Sequence, residues 1–359
     1  MEFCYRKEER IMGKYVPYRH LKTVLQDYDH CKLAEGSSEK GLPIPLYRIG
    51  EGKKRILLWS QMHGNESTTT RALLDLFKLF SEEGYPFTNC QLYIIPMLNP
   101  DGATQYTRVN GNGVDLNRDA VALSQKESLF LRSIYDQVKP DFCFNLHDQR
   151  TIFGVGERPA TVSFLTPAVD EDRNVTPIRE RAASVITKMN DCLQLLIKGF
   201  VGRFDDSFNP NCTGDQYSLL GTPTILIESG FYPDDYQREQ TRKYIAQALY
   251  TGLSYINAQE VGIGEWQSYL EIPENKKCFR DYCIINDKDP QEKIFVQLEE
   301  VLEGDRIVFI PKLVSEDEGK DFLAHKTYQL SEIFPKENCD IHSKIPYILE
   351  YIRKEVENI

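Results

Sequence analysis

An imidazole and a carboxylate stand three residues apart in His63-Gly64-Asn65-Glu66, directly after the apolar run Ile56-Leu57-Leu58-Trp59. A second imidazole, His147, follows Asn145-Leu146 at the end of another apolar run, and a lone carboxylate, Glu228, follows Ile225-Leu226-Ile227. Two imidazoles and a carboxylate are a ligand set for catalytic zinc, which takes three protein ligands and leaves a fourth position for water. Zinc lowers the pKa of that water to about 7, and a nearby carboxylate that is not a ligand can shuttle its proton. His63, Glu66 and His147 are therefore the expected ligands of one Zn2+ ion, with Glu228 as the shuttle. A His and a Glu three apart more often mark a solvated turn. What points to metal is that all three segments place polar residues just beyond apolar strands, where open α/β sheets bind their ligands.

Further motifs stand in a fixed order around these residues: Asn99-Pro100-Asp101-Gly102, Arg108, Asp115-Leu116-Asn117-Arg118 and Leu146-His147. In order and approximate spacing the chain resembles the zinc metallocarboxypeptidases related to carboxypeptidase A, and most nearly their short bacterial members, from about Gly41 to Gln259. The resemblance implies that His63, Glu66 and His147 bind the metal and that Glu228 is the general base and acid. It implies that Arg108 polarises the scissile carbonyl and holds the oxyanion, and that Asn117 and Arg118 grip the substrate's terminal carboxylate. Asp115 matches an aspartate that orients the first histidine, as metal-bound imidazoles generally require.

These roles suit the side chains. A guanidinium offers a planar fork matched to a carboxylate, which explains an arginine at 118. Arg108 stays charged and can stabilise a developing oxyanion, where one donor is typically worth about 3 kcal/mol. One family feature is missing: the loop before Thr213-Gly214-Asp215 carries Phe204 and Phe208 but no tyrosine, and neither Tyr217 nor Tyr232 matches the family's mobile tyrosine by position. Related N-acyl amino acid deacylases, of the aspartoacylase and succinylglutamate desuccinylase type, share motifs like those at 63–66 and 115–118. Asn99-Pro100-Asp101-Gly102 is peptidase-like and favours the carboxypeptidase reading. Arg150, in Asp148-Gln149-Arg150, is a candidate reader of a second substrate carboxylate, against the plainer reading of a salt bridge with Asp148 or a nearby acid. Asp205 and Asp206 are either turn residues or selectors of a basic side chain.

The 359 residues suffice for one sizeable core and a second small domain. No apolar stretch reaches the roughly 18 residues of a membrane helix. A net charge of −11 argues against nucleic acid or an anionic membrane as partner. The amino terminus shows no apolar signal segment, so cytoplasm is the expected location. Nine scattered cysteines do not resemble a disulfide framework.

Periodicity predicts an entry helix over 18–28, a polar turn over 35–41, and strands over 44–49, 55–59, 92–98 and 142–146. It predicts helices over 68–80, 125–138, 178–195 and 236–257, and Gly154-Val155-Gly156 as a plain turn. Alternating strands and helices indicate an α/β three-layer sandwich with a mixed, mainly parallel sheet over residues 1–260. From Val261 the pattern shifts to short strand-like runs, acidic connectors and an end helix over 346–357, read as a small β-rich C-terminal domain spanning 261–359. It shades the cleft, binds a partner or covers an edge strand; His325 and His342 there read as structural or solvated.

The expected activity is zinc-dependent removal of a C-terminal residue from peptides by zinc hydroxide, with Glu228 as general base and acid. Acylated amino acids are the substrates of the deacylase alternative. A non-catalytic binding protein on the same scaffold is the third reading, disfavoured because neither a ligand nor the base is lost.

Overall fold

Fifteen strands and ten helices are built by residues 3–314, 322–335 and 340–357, which the computed structural model describes. The strands are β1 (Lys32–Ser37), β2 (Pro43–Ile49), β3 (Lys54–Ser60), β4 (Cys90–Ile95), β5 (Phe142–Asp148), β6 (Phe153–Val155), β7 (Arg158–Pro159), β8 (Val162–Leu165), β9 (Val201–Arg203), β10 (Thr224–Ser229), β11 (Lys276–Lys277), β12 (Phe279–Asn286), β13 (Asp289–Glu303), β14 (Arg306–Leu313) and β15 (Leu323–Gln329). The helices are α1 (Tyr18–Leu25), α2 (Thr68–Glu83), α3 (Pro100–Gln105), α4 (Lys126–Val138), α5 (Pro177–Leu196), α6 (Thr213–Leu219), α7 (Glu239–Ala258), α8 (Trp266–Leu270), α9 (Leu330–Ile333) and α10 (Ile345–Val356).

The main sheet has eight strands in the order β1-β2-β4-β3-β5-β10-β8-β9. Its centre, β4-β3-β5-β10, is parallel, and antiparallel pairs occur at β1–β2, β2–β4 and β10–β8. The central strands are apolar on both sides because both sides are covered. Ile56 and Leu58 of β3 face the helices α2, α5 and α7, whereas Leu57 and Trp59 face α4 and α6. This is the expected three-layer α/β sandwich with a mixed, mainly parallel sheet. The smaller sheet, β14-β13-β12-β15, stands apart, and its apolar face shares a cluster with Tyr15, Phe231 and Tyr236. Residues 261–277 pack with the main body: Val261, Tyr269 and Ile272 join its core, and β11 pairs with β6.

Two local expectations are corrected. The polar stretch beginning at Glu35 is half strand: β1 pairs antiparallel with β2 and turns only after Ser37. As an edge strand with one solvated face it needs no apolar run, which hid it in the sequence. Gly154-Val155 likewise belongs to β6, paired with β7, rather than to a plain turn. The cysteines in the described residues are free, and Cys339 lies outside those residues. No helix in the described residues is long and apolar enough to cross a membrane.

Candidate metal centre and active site

The first two site residues lie on the loop that leaves β3. Gly64 is needed because a Cβ there would lie 1.9 Å from the backbone carbon of Gly102. Asn99 fixes the other side of this contact: its side chain accepts from Gly102 N at 2.8 Å, capping α3, and donates to Met62 O at 3.1 Å. The Asn99-Pro100-Asp101-Gly102 motif thus braces the loop that carries His63 and Glu66. Parallel pairing sets the rest, because Glu228 on β10 is the direct cross-strand partner of His147 on β5.

His63 Nδ1 lies 2.8 Å from Glu66 Oε1, and His147 Nδ1 lies 3.0 Å from Glu66 Oε2 and 3.2 Å from His63 Nδ1. One donor atom from each of the three lies within 4.8 Å of the others. Both histidines are 2% exposed. Two nitrogen lone pairs and a carboxylate aimed at one buried point would repel without a proton or a cation among them, so the donor set fits a divalent metal. On the far side of His63, Nε2 meets Asp115 Oδ1 at 3.0 Å, the geometry of an orienting carboxylate. His147 has no such support, since its buried Nε2 lacks a partner.

Charge follows geometry. Burial would raise Glu66 and Asp115, but His63 with His147 and His63 with Arg108, respectively, outweigh it and hold both carboxyls well below the usual range. Burial would lower His63, yet Glu66 and Asp115 raise it, whereas for His147 burial prevails. Glu228 is pushed well above the carboxylate range by burial and by the charges of Glu66 and Asp148, against the pull of Arg108. A carboxyl poised in this way can hold a proton.

Arg108 donates Nε to Asp115 at 3.1 Å and Nη1 to Glu66 at 3.3 Å, so its guanidinium sits beside the cluster. Asn117 accepts from Thr213 N at 2.9 Å, leaving its amide nitrogen as the donor. Arg118 donates Nη1 to Asn117 O at 2.7 Å and to Cys212 Sγ at 3.1 Å. All three line one cavity of about 1030 Å3 together with His63, Glu66, His147 and Glu228. Asp115, by contrast, reaches the site through His63 and Arg108.

Arg150 is exposed and lines the same cavity. The anticipated pair with Asp148 does not form there, because Asp148 turns to Thr68, accepting from its N at 3.0 Å and its Oγ1 at 2.6 Å. Asp206 is committed to Arg179 and Arg173, and Asp205 to Ser207. Tyr217 stacks on Tyr135 inside the core, Tyr232 packs on Phe200, and Tyr236, which lines the cavity, donates to Asp281 at 3.2 Å.

Some lining residues carry no motif. Asn145 is 0% exposed, and neither end of its side-chain amide has a partner. Its place two residues before His147 on a strand puts it on the same face, so the period of two could have revealed it. Lys14, Gln297, Leu298, Glu299, Glu300, Phe309 and Lys312 also line the cavity. Nothing local in the sequence marks them, because distant segments bring them there.

Residues 18–138 match the model of the zinc carboxypeptidase family. Bacteriocin BCN5 of Clostridium perfringens is 32% identical over 102 residues, 24% of this chain, and the chain spans 11% of that protein's length. Among solved structures, a metallo-carboxypeptidase from Burkholderia cenocepacia is similar with a TM-score of 0.54 and 18% identity, over 67% of this chain and 70% of that one. Carboxypeptidase A from Helicoverpa armigera gives a TM-score of 0.55 and 18% identity, over 68% of this chain and 74% of that one. These likenesses are ones of fold.

Proposed function

We propose that this chain, whose residues 18–138 match the zinc carboxypeptidase family, is a zinc-dependent hydrolase that removes the C-terminal residue from peptides. The observation that carries this reading is the convergence of His63, Glu66, His147, Glu228, Arg108, Asn117 and Arg118 on one cavity. His63, Glu66 and His147 would hold one ion, which when bound acidifies water and polarises a carbonyl.

The chain's own residues supply the rest. Arg118 and the amide of Asn117 receive the terminal carboxylate, the guanidinium through paired donors. Asn145, Leu165, Gly214, Asp215 and Leu226 also line the cavity, and the unpartnered amide of Asn145 favours a polar group on the terminal side chain. Arg150 stands at the cavity as a reader of a second acidic group. Arg108 faces the carbonyl oxygen and holds negative charge as it develops. Glu228 takes a proton from water as the water oxygen bonds to the carbonyl carbon, then gives that proton to the amine as the carbon–nitrogen bond breaks. Asp115 fixes the tautomer and orientation of His63. Free cysteines suit a reducing compartment, and we read the protein as cytoplasmic.

The test is to incubate zinc-loaded wild type and Glu228→Gln with a mixture of peptides and N-acyl amino acids, identifying products by mass spectrometry. Loss of single C-terminal residues with wild type alone is the expected result. Release of acyl groups without action on peptides would move the protein to the deacylases. No product from either mixture would reject hydrolysis and leave a binding role.

A further inference from the structure

We infer that the C-terminal sheet closes the acyl end of the cleft, so that the substrates are peptides of only a few residues and not the tails of long polypeptides. The inference rests on the carboxypeptidase reading above and adds to it a limit on substrate length.

Two groups of residues line the cavity along with the His63, Glu66 and His147 cluster. On one flank, Asp115 receives His63 Nε2, and Asn117 and Arg118 follow directly, tied to Thr213 and Cys212 of the α6 end. A terminal carboxylate held there directs the rest of the substrate past the cluster to the other flank. That flank holds Lys14, which lines the cavity and whose backbone O accepts from Oγ of the buried Ser67, next to Glu66, at 2.6 Å. Lys14 is 5% exposed and pairs with Glu300 of β13, which also accepts from Tyr106. A cation from the N-terminal arm and a carboxylate from the small sheet thus meet at the cavity's lining, with the Tyr106 phenol from the end of α3 bonded to that carboxylate.

The wall is tied to the main body by hydrogen bonds and packing. Gln297 donates to Thr151 Oγ1 at 2.8 Å, Leu298 N donates to Asp281 Oδ2 at 2.7 Å, and Tyr236 donates to the same carboxyl. Behind them Leu298 and Phe309 pack in one apolar cluster with Tyr15, Phe231 and Tyr236 of the main body. Burial would raise Glu300, but the charge of Lys14 and the bonds from Lys14 and Tyr106 hold it below its ordinary value, while burial lowers Lys14 against the pull of Glu300. Removing one partner of such a pair strands the other, which makes this latch costly to open. What remains is about 1030 Å3, at the upper end of the roughly 300–1,000 Å3 of pockets that enclose small ligands.

A peptide ladder with a constant C-terminal residue, extended at its N-terminus from a dipeptide to a decapeptide, tests the limit. Binding is measured by calorimetry to zinc-loaded Glu228→Gln, and cleavage with wild type. Affinity and kcat/KM should peak at a short length and fall at least roughly tenfold, ~1.4 kcal/mol, for the longest members. Glu300→Ala should move the fall to longer peptides, and Glu300→Gln, which keeps the bulk, should leave it in place. If the alanine variant does not fold, the ladder on the unaltered wall decides. Equal binding and cleavage at every length would overturn the length limit and leave the carboxypeptidase reading standing. A ladder in which nothing binds and nothing is cut would overturn both.

Discussion

His63 and His147 present their Nδ1 atoms to each other across 3.2 Å, with the two oxygens of Glu66 at 2.8 and 3.0 Å from them. With both nitrogens unprotonated, two lone pairs and a carboxylate converge on one point, and a cation between them would satisfy all three. Zinc should therefore bind at one equivalent and raise the melting temperature. At a hundredfold excess over Kd the stabilisation is about 2.7 kcal/mol. His147→Ala and Glu66→Ala should abolish both the bound equivalent, measured by elemental analysis, and the thermal shift. Retention of one tight equivalent by either variant would exclude this cluster as the site.

Arg118 is held by Asn117 O and Cys212 Sγ with its guanidinium in the cavity. Lysine keeps the charge but not the fork. Arg118→Lys should raise KM for peptides with a free terminus by an amount equal to about 2 kcal/mol, the worth of a charged hydrogen bond. Peptides ending in an amide, which offer no carboxylate, should be cut equally poorly by both enzymes. A KM for free-terminus peptides unchanged by the substitution would remove Arg118 from the clamp.

Asn145 carries a buried amide with both ends unpartnered. Asn145→Leu, close in volume, should stabilise the free protein by about 1–3 kcal/mol in denaturant unfolding, because each orphaned polar group costs on this scale. The same change should turn the preference for the released residue toward apolar side chains. A destabilised variant with unaltered preference would mean that the amide serves the fold and not the substrate.

His325 lies between the rings of Phe279 and Phe231 and bonds to Thr151 O at 2.8 Å, where the small sheet meets the main body. Burial holds it down to about 4, below its ordinary value near 6.5. Unfolded chains therefore take up a proton that the folded one refuses, and this contribution to stability is complete above about pH 6.5 and lost as pH falls toward 4. The difference in unfolding free energy between wild type and His325→Gln should change by about 3 kcal/mol across that window, favouring wild type at the neutral end. A difference independent of pH would show that burial does not hold the His325 imidazole below its ordinary value.

Sequence alone determined much of the centre. Apolar runs ending in His63, His147 and Glu228 identified strands, and near-continuous apolar runs are the pattern of parallel central strands, whose ends open on the same edge. The cluster of His63, Glu66 and His147, with Glu228 in the same cavity, was legible because each motif is local. What only the tertiary structure decided comes from residues far apart along the chain. Lys14, Tyr106 and Glu300 meet at one wall, and Asp148 turns away from Arg150 toward Thr68. The small sheet stands over the cleft instead of elsewhere on the surface, because its apolar face finds Tyr15, Phe231 and Tyr236. Periodicity reports that a strand has an apolar face; which surface covers that face is settled by the packing of the whole chain.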